Sequence, residues 1–157
     1  MPETSDARRF RFKPRFKGLA ATAVGLGGVL GGVSLIGLGA AFLPLATGAA
    51  GVVLGAAYLL SPTWKLEVVI DDEALEVRTP RASKFRLPWS EVKRVVAAQS
   101  SFTMFVDGGK PEHSLLVPGD GAPAPYDIED KPGLFAAILA HVPDDKVSKV
   151  DSLQSAR

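Results

Sequence analysis

The sequence predicts a membrane α-helical hairpin followed by an α+β domain, an antiparallel sheet or barrel closed by a C-terminal helix. Three observations carry this. From Gly18 to Trp64 there are 47 residues with no Asp, Glu, Lys, Arg or His. After Trp64 apolar residues recur every second position, and after Asp130 they recur at helical spacing.

The chain opens on a basic arm, residues 1–17. Arg8, Arg9, Arg11, Lys13, Arg15 and Lys17 face only Glu3 and Asp6, a balance of +4, whereas residues 65–157 hold 12 cations and 15 anions. Phe10, Phe12 and Phe16 interleave with the cations, a pattern expected of a segment lying on an anionic leaflet, where each cation contributes about 1 kcal/mol. There is no cysteine, so disulfide and thiolate chemistry are excluded.

A transmembrane helix takes roughly 20 apolar residues, so the uncharged run is too long for one span and suits two plus a turn, over residues 18–63. Pro44, with Thr47 and Gly48 after it, is read as the break. That gives one helix from Gly18 to Leu43 and a returning one from Leu45 to about Leu60. Cations flanking a span stay cytoplasmic, which places the arm and the C-terminal domain there in a multi-pass protein with both termini cytoplasmic. Trp64 and Lys65 suit the interface where the second span emerges. An export signal would need an apolar centre of about 7 to 15 residues, and the run is about three times that, with Arg11 where a twin-arginine signal favours an apolar aromatic. A dinucleotide loop fails because Leu30 stands where the third glycine belongs and no strand precedes it.

Small residues four apart form contact stripes between helices in lipid. Gly27 with Gly31, Gly28 with Gly32, and Gly51 with Gly55 have this spacing, and Ala23 extends the first pair. They either zip the hairpin to itself or seal it to further subunits, as a homo-oligomer or part of a larger complex. No ionisable side chain marks an ion path.

Within residues 64–143, Leu66, Val68 and Ile70 alternate as in a half-buried strand. Asp71-Asp72-Glu73 reads as a turn, Ala74–Thr79 as a strand with Leu75 and Val77 inward, and Pro80–Ser83 as a turn. Strands continue at Lys84–Trp89, Glu91–Ala98, Phe102–Val106 and His113–Val117. Asp130 caps a helix with Pro132 in its first turn, presenting Leu134, Phe135, Ile138, Leu139 and Val142 until Pro143 ends it. Residues 144–157 read as a polar tail.

A hairpin, short strands and a terminal helix, with Leu87-Pro88-Trp89-Ser90-Glu91-Val92-Lys93-Arg94-Val95 between them, resembles the bacterial pleckstrin-homology-like domain proteins over residues 60–143. The resemblance implies a PH-like barrel of seven strands, one more than the sequence shows. It also implies the cytoplasmic (inner) membrane and a binding or assembly module without catalytic residues.

The residues themselves offer no catalytic constellation. His113 and His141 stand alone, without ligand spacing, and Ser90-Glu91 reads as the cap of a short turn rather than acid/base machinery. Asp71-Asp72-Glu73 lacks the glycine and distant Glu of a calcium loop. No cofactor, metal or small-molecule substrate is expected, and a net-acidic domain without aromatic platforms argues against nucleic acid. Arg78, Arg81, Lys84 and Arg86 cluster around the second turn of the sheet domain, either as a candidate lipid-binding patch or as a solvated hairpin whose edge cations discourage aggregation. Two functions follow. One is a non-enzymatic assembly factor or accessory subunit whose hairpin packs in the bilayer while the domain docks a partner protein. The alternative is a sensor or binder of anionic headgroups that uses the hairpin only as an anchor.

Overall fold

The structure, a computed structural model, describes residues 7–37 and 42–151. Glu3 and Asp6 of the arm, residues 38–41 of the first expected helix and the end of the tail lie outside them. Contacts divide the chain into a unit of Pro14–Trp64 and one formed by Met1–Lys13 with Lys65–Arg157.

The first unit is a pair of antiparallel helices, α1 (Lys17–Ile36) and α2 (Phe42–Leu59). Both are long and apolar enough to cross a membrane, and α1, at 20 residues, is about 30 Å long. Leu116 apart, every large apolar side chain exposed among the described residues lies between Phe16 and Leu60. Pro44 does not separate the helices. It sits in the first turn of α2, where its missing N–H removes no intrahelical bond.

Glycine allows the close approach of the two helices. A Cβ on Gly27 would stand 2.6 Å from Gly48 O, one on Gly48 2.7 Å from Gly31 N, and one on Gly55 2.7 Å from Ala20 O. Gly51 meets Ala23 O at 3.1 Å in the same way. Of the residues expected to pack helices, Ala23, Gly27, Gly51 and Gly55 therefore serve this seam, joined by Gly48, and Gly31 lends it only backbone, since a Cβ on Gly31 would itself meet nothing. Gly28 and Gly32 face open space. At the open end of the pair the Phe16 amide donates to Tyr58 Oη (2.9 Å), and Trp64 Nε1 donates to the Tyr58 carbonyl (2.6 Å) with the two rings edge to face.

The second unit is α+β. One sheet runs β4-β3-β2-β1-β8, from β1 (Arg8–Pro14), β2 (Glu67–Ile70), β3 (Ala74–Arg78), β4 (Ser83–Pro88) and β8 (Tyr126–Ile128). The other runs β7-β6-β5-β9, from β5 (Arg94–Ala98), β6 (Thr103–Asp107), β7 (Leu115–Val117) and β9 (Val147–Val150). Inward residues of both sheets form one core with α3 (Lys131–His141) through Leu134, Phe135 and Ile138. The Asp130 side chain accepts from Gly133 N (3.2 Å) and caps α3. Its left-handed backbone (φ 47°) is one that a short polar residue tolerates.

Besides Pro44, four further expectations are corrected. The arm is not a separate segment: Arg8–Pro14 is a strand with Arg8 opposite Ile70 and Arg11 opposite Glu67. Phe10 (4 % exposed) and Phe12 (8 %) lie in the core, and only Phe16 is exposed. Residues 144–157 are not simply a tail, because β9 pairs in parallel with β5, Val147 opposite Val95. The sheets do not close into a barrel. Pro88 ends β4, and Pro118, Pro123 and Pro125 interrupt the chain between β7 and β8, positions where a missing N–H breaks a ladder. Finally, Ser90 caps nothing: the turn Trp89–Glu91 has no side-chain capping bond.

Two outcomes follow. Gly48→Leu lowers the thermal midpoint of the helix pair in detergent micelles, measured by circular dichroism, whereas Gly28→Leu leaves it unchanged. Phe10→Ala destabilises the α+β unit by about 3–5 kcal/mol in urea titrations followed by Trp89 fluorescence, and Phe16→Ala does not.

Candidate functional site

The alternation of β1 sends Phe10 and Phe12 inward and leaves Arg9, Arg11 and Lys13 exposed on the opposite face. Register carries that face across the sheet. Arg9, Val69, Glu76 and Arg86 are successive neighbours in one row, and Arg11, Glu67, Arg78 and Ser83 in the next. The arm and the basic hairpin, 60 or more residues apart in sequence, thus share one surface. Arg81 is exposed in the turn between β3 and β4, and Lys84 is exposed where the β3–β4 register shifts.

The four hairpin cations are not equivalent. Arg78 Nε lies 3.0 Å from Glu67 Oε1, its cross-strand neighbour. Arg86 reaches Asp71 (3.3 Å), Glu73 (3.2 Å) and Glu76 (3.9 Å). Arg81 and Lys84, with Arg9, Arg11 and Lys13, form no ion pair among the described residues. A groove of about 490 Å³ runs between Arg9, Arg11, Arg78 and Arg81, with Glu67 and Glu76 in its lining. Val69 in the same face is only 4 % exposed, as expected where the aliphatic stems of long charged residues cover a small apolar one.

Of the remaining expected surface cations, Arg8 starts β1, Arg15 lies between β1 and α1, Lys17 opens α1, and Lys65 ends the short helical turn Pro62–Lys65. The histidines have structural settings. His113 stacks on Phe85 at 6.1 Å, and His141 stacks on Trp89 at 4.8 Å while its Nδ1 contacts the Ala137 carbonyl. Among the described residues no group of three or more His, Cys, Asp and Glu is arranged to hold a metal.

A second groove, of about 640 Å³, lies beside the edge strand β7 and is lined by Leu116, Pro118, Tyr126 and the Ala122–Pro125 segment. Leu116 is 41 % exposed in it. The Tyr126 hydroxyl donates to the Leu116 carbonyl (2.8 Å), and its ring packs on Phe12 at 5.2 Å. The sequence reading did not single out this groove. Its signal, a Gly-Ala-Pro-Ala-Pro-Tyr run before β8, reads locally only as a loop.

No family model, curated protein or solved structure matches the chain.

Burial raises the Tyr126 pKa above 10.0. The unfolded chain loses this phenolic proton first, so stability from Tyr126 is complete below pH 10 and falls as pH rises through the folded value. Tyr126→Phe removes that alkaline loss, and loses about 1 kcal/mol at neutral pH with the hydrogen bond; urea titrations at neutral and alkaline pH measure both. Arg78→Gln, which breaks a partly exposed pair, costs under about 1 kcal/mol in the same assay.

Proposed function

We propose that the chain is a membrane-anchored, non-enzymatic assembly factor or accessory subunit, whose hairpin packs in the bilayer and whose α+β domain docks a partner protein. The observation that carries this reading is the surface of the helix pair. Its inner seam is glycine and alanine, and its outer surface is Leu19, Leu26, Val29, Val33, Leu35, Val53 and Leu54, all exposed. In water such a surface is a severe liability, whereas in lipid it is the expected solvent contact, and close backbone approach is the expected way to join two helices.

The cytoplasmic side is assigned to both termini by the cations before α1, which still fall within the distance over which flanking charge orients a span. The PH-like resemblance and, with it, the bacterial inner membrane belong to the same proposal. Partner docking is assigned to the groove around Leu116 and Tyr126, which combines an exposed Leu with a proline-rich rim. The outward Gly28 and Gly32 leave α1 a flat strip against which a further helix or a second copy packs. The non-enzymatic reading draws support from His113 and His141, whose rings are committed to aromatic stacking.

Native mass spectrometry of the chain, extracted gently from its own membrane, tests the reading. The expected result is a defined complex with other proteins or with further copies. Leu116→Asp removes the protein partner and Gly28→Leu removes extra copies. A monomer retaining only lipid overturns the assembly function.

A further inference from the structure

The unpaired cations of the β1–β4 face point to a ligand of their own. Pairing with β2 places Arg9 and Arg11 beside Glu67 and Val69, while acidic groups of the face are engaged by other cations, Glu67 by Arg78 at 3.0 Å, Glu76 by Arg86 at 3.9 Å and Asp127 of the neighbouring β8 by Lys131 at 3.3 Å. Arg9, Arg11, Lys13, Arg81 and Lys84 are all exposed and form no ion pair among the described residues. The face therefore carries a surplus of guanidinium and ammonium groups, with a groove of about 490 Å³ between Arg9, Arg11, Arg78 and Arg81 whose lining also holds the ion-paired Glu67 and Glu76. Guanidinium forks match phosphate oxygens two at a time.

We propose that this face binds anionic phospholipid headgroups, through Arg9, Arg11, Arg81 and Lys84 rather than through the ion-paired Arg78 and Arg86. Charge complementarity and chain continuity identify the occupant. β1 ends at Pro14 and α1 begins at Lys17, so a bilayer holding the helices presents its headgroups to this strand at high effective concentration. The outward residues among the cations include Glu67, Val69, Glu76, Ser83 and, on β8, Asp127, none of them aromatic, which disfavours a nucleic-acid strand seeking stacking platforms. The inference rests on membrane anchoring but not on the partner-docking half of the function above.

The chain has no cysteine, so Ser83→Cys in β4 gives a unique site for an environment-sensitive fluorophore. The full chain is reconstituted into vesicles of phosphatidylcholine alone and of phosphatidylcholine with phosphatidylglycerol. The expected result is a blue shift of emission in the anionic vesicles only, reversed by high salt. The shift disappears in Arg9→Gln/Arg11→Gln/Lys84→Gln and persists in Arg78→Gln/Arg86→Gln. A label at Ser148→Cys in β9 shows none. Circular dichroism confirms that each variant keeps its sheet, and the salt reversal of the otherwise unsubstituted chain tests the proposal without them. Equal emission in the two vesicle types overturns it and leaves an acidic protein as the occupant; so does a shift that survives the triple substitution or is lost equally in the Arg78/Arg86 variant. Failure of the anchor itself is separate: the chain then washes from both vesicle types at alkaline pH.

Discussion

The pairing of β1 with β2 is the contact on which the rest of the molecule depends. Arg11 stands opposite Glu67, and the Phe12 amide donates to the Leu66 carbonyl at 3.0 Å, so the whole helix pair is spliced between two neighbouring strands. Closing so long an insertion costs only slowly more entropy as it lengthens. The helix pair reduces that cost further by bringing its own ends together through Phe16 and Tyr58. The same pairing completes the core with Phe10 and Phe12 and sets the outward row that begins with Arg9 and Arg11.

Charge on that face follows from strand geometry. Cross-strand neighbours of opposite sign settle into pairs, as Arg78 does with Glu67, while cations whose neighbours are already engaged stay in solvent. A hairpin that looks uniformly basic in sequence therefore divides into two ion-paired cations, Arg78 and Arg86, and two that stay in solvent, Arg81 and Lys84.

The Pro88-Trp89-Ser90-Glu91 segment has a packing role. The Trp89 amide donates to the Glu73 carbonyl (3.1 Å), its Nε1 donates to the Asp71 carbonyl (2.9 Å), and its ring stacks on His141 at the end of α3. The turn thus passes the chain from one sheet to the other while pinning the β2–β3 turn and the C-terminus of α3. Asp71 contributes by accepting from the Glu73 and Ala74 amides (2.9 and 2.7 Å), which closes the tight turn between β2 and β3.

By itself the sequence determined what local patterns can determine: two apolar helices, the alternating strands from Glu67 to Val117, and an α3 that starts at the Asp130 cap and stops at Pro143. It also carried the period-two pattern Arg-Arg-Phe-Arg-Phe-Lys-Pro, which is a half-buried strand when read by spacing and a membrane arm when read by charge. Only the tertiary structure established the strand, because a strand exists through its partner, and β2 lies more than 50 residues away. The same reason hid β8, a three-residue edge strand, and β9, whose polar Val-Ser-Lys-Val pattern carries too little apolar burial to announce itself without β5 beside it. Helix contact was equally non-local. Residue spacing marked both faces of α1 as small, but the approach of Gly48 chose Gly27 and Gly31 over Gly28 and Gly32.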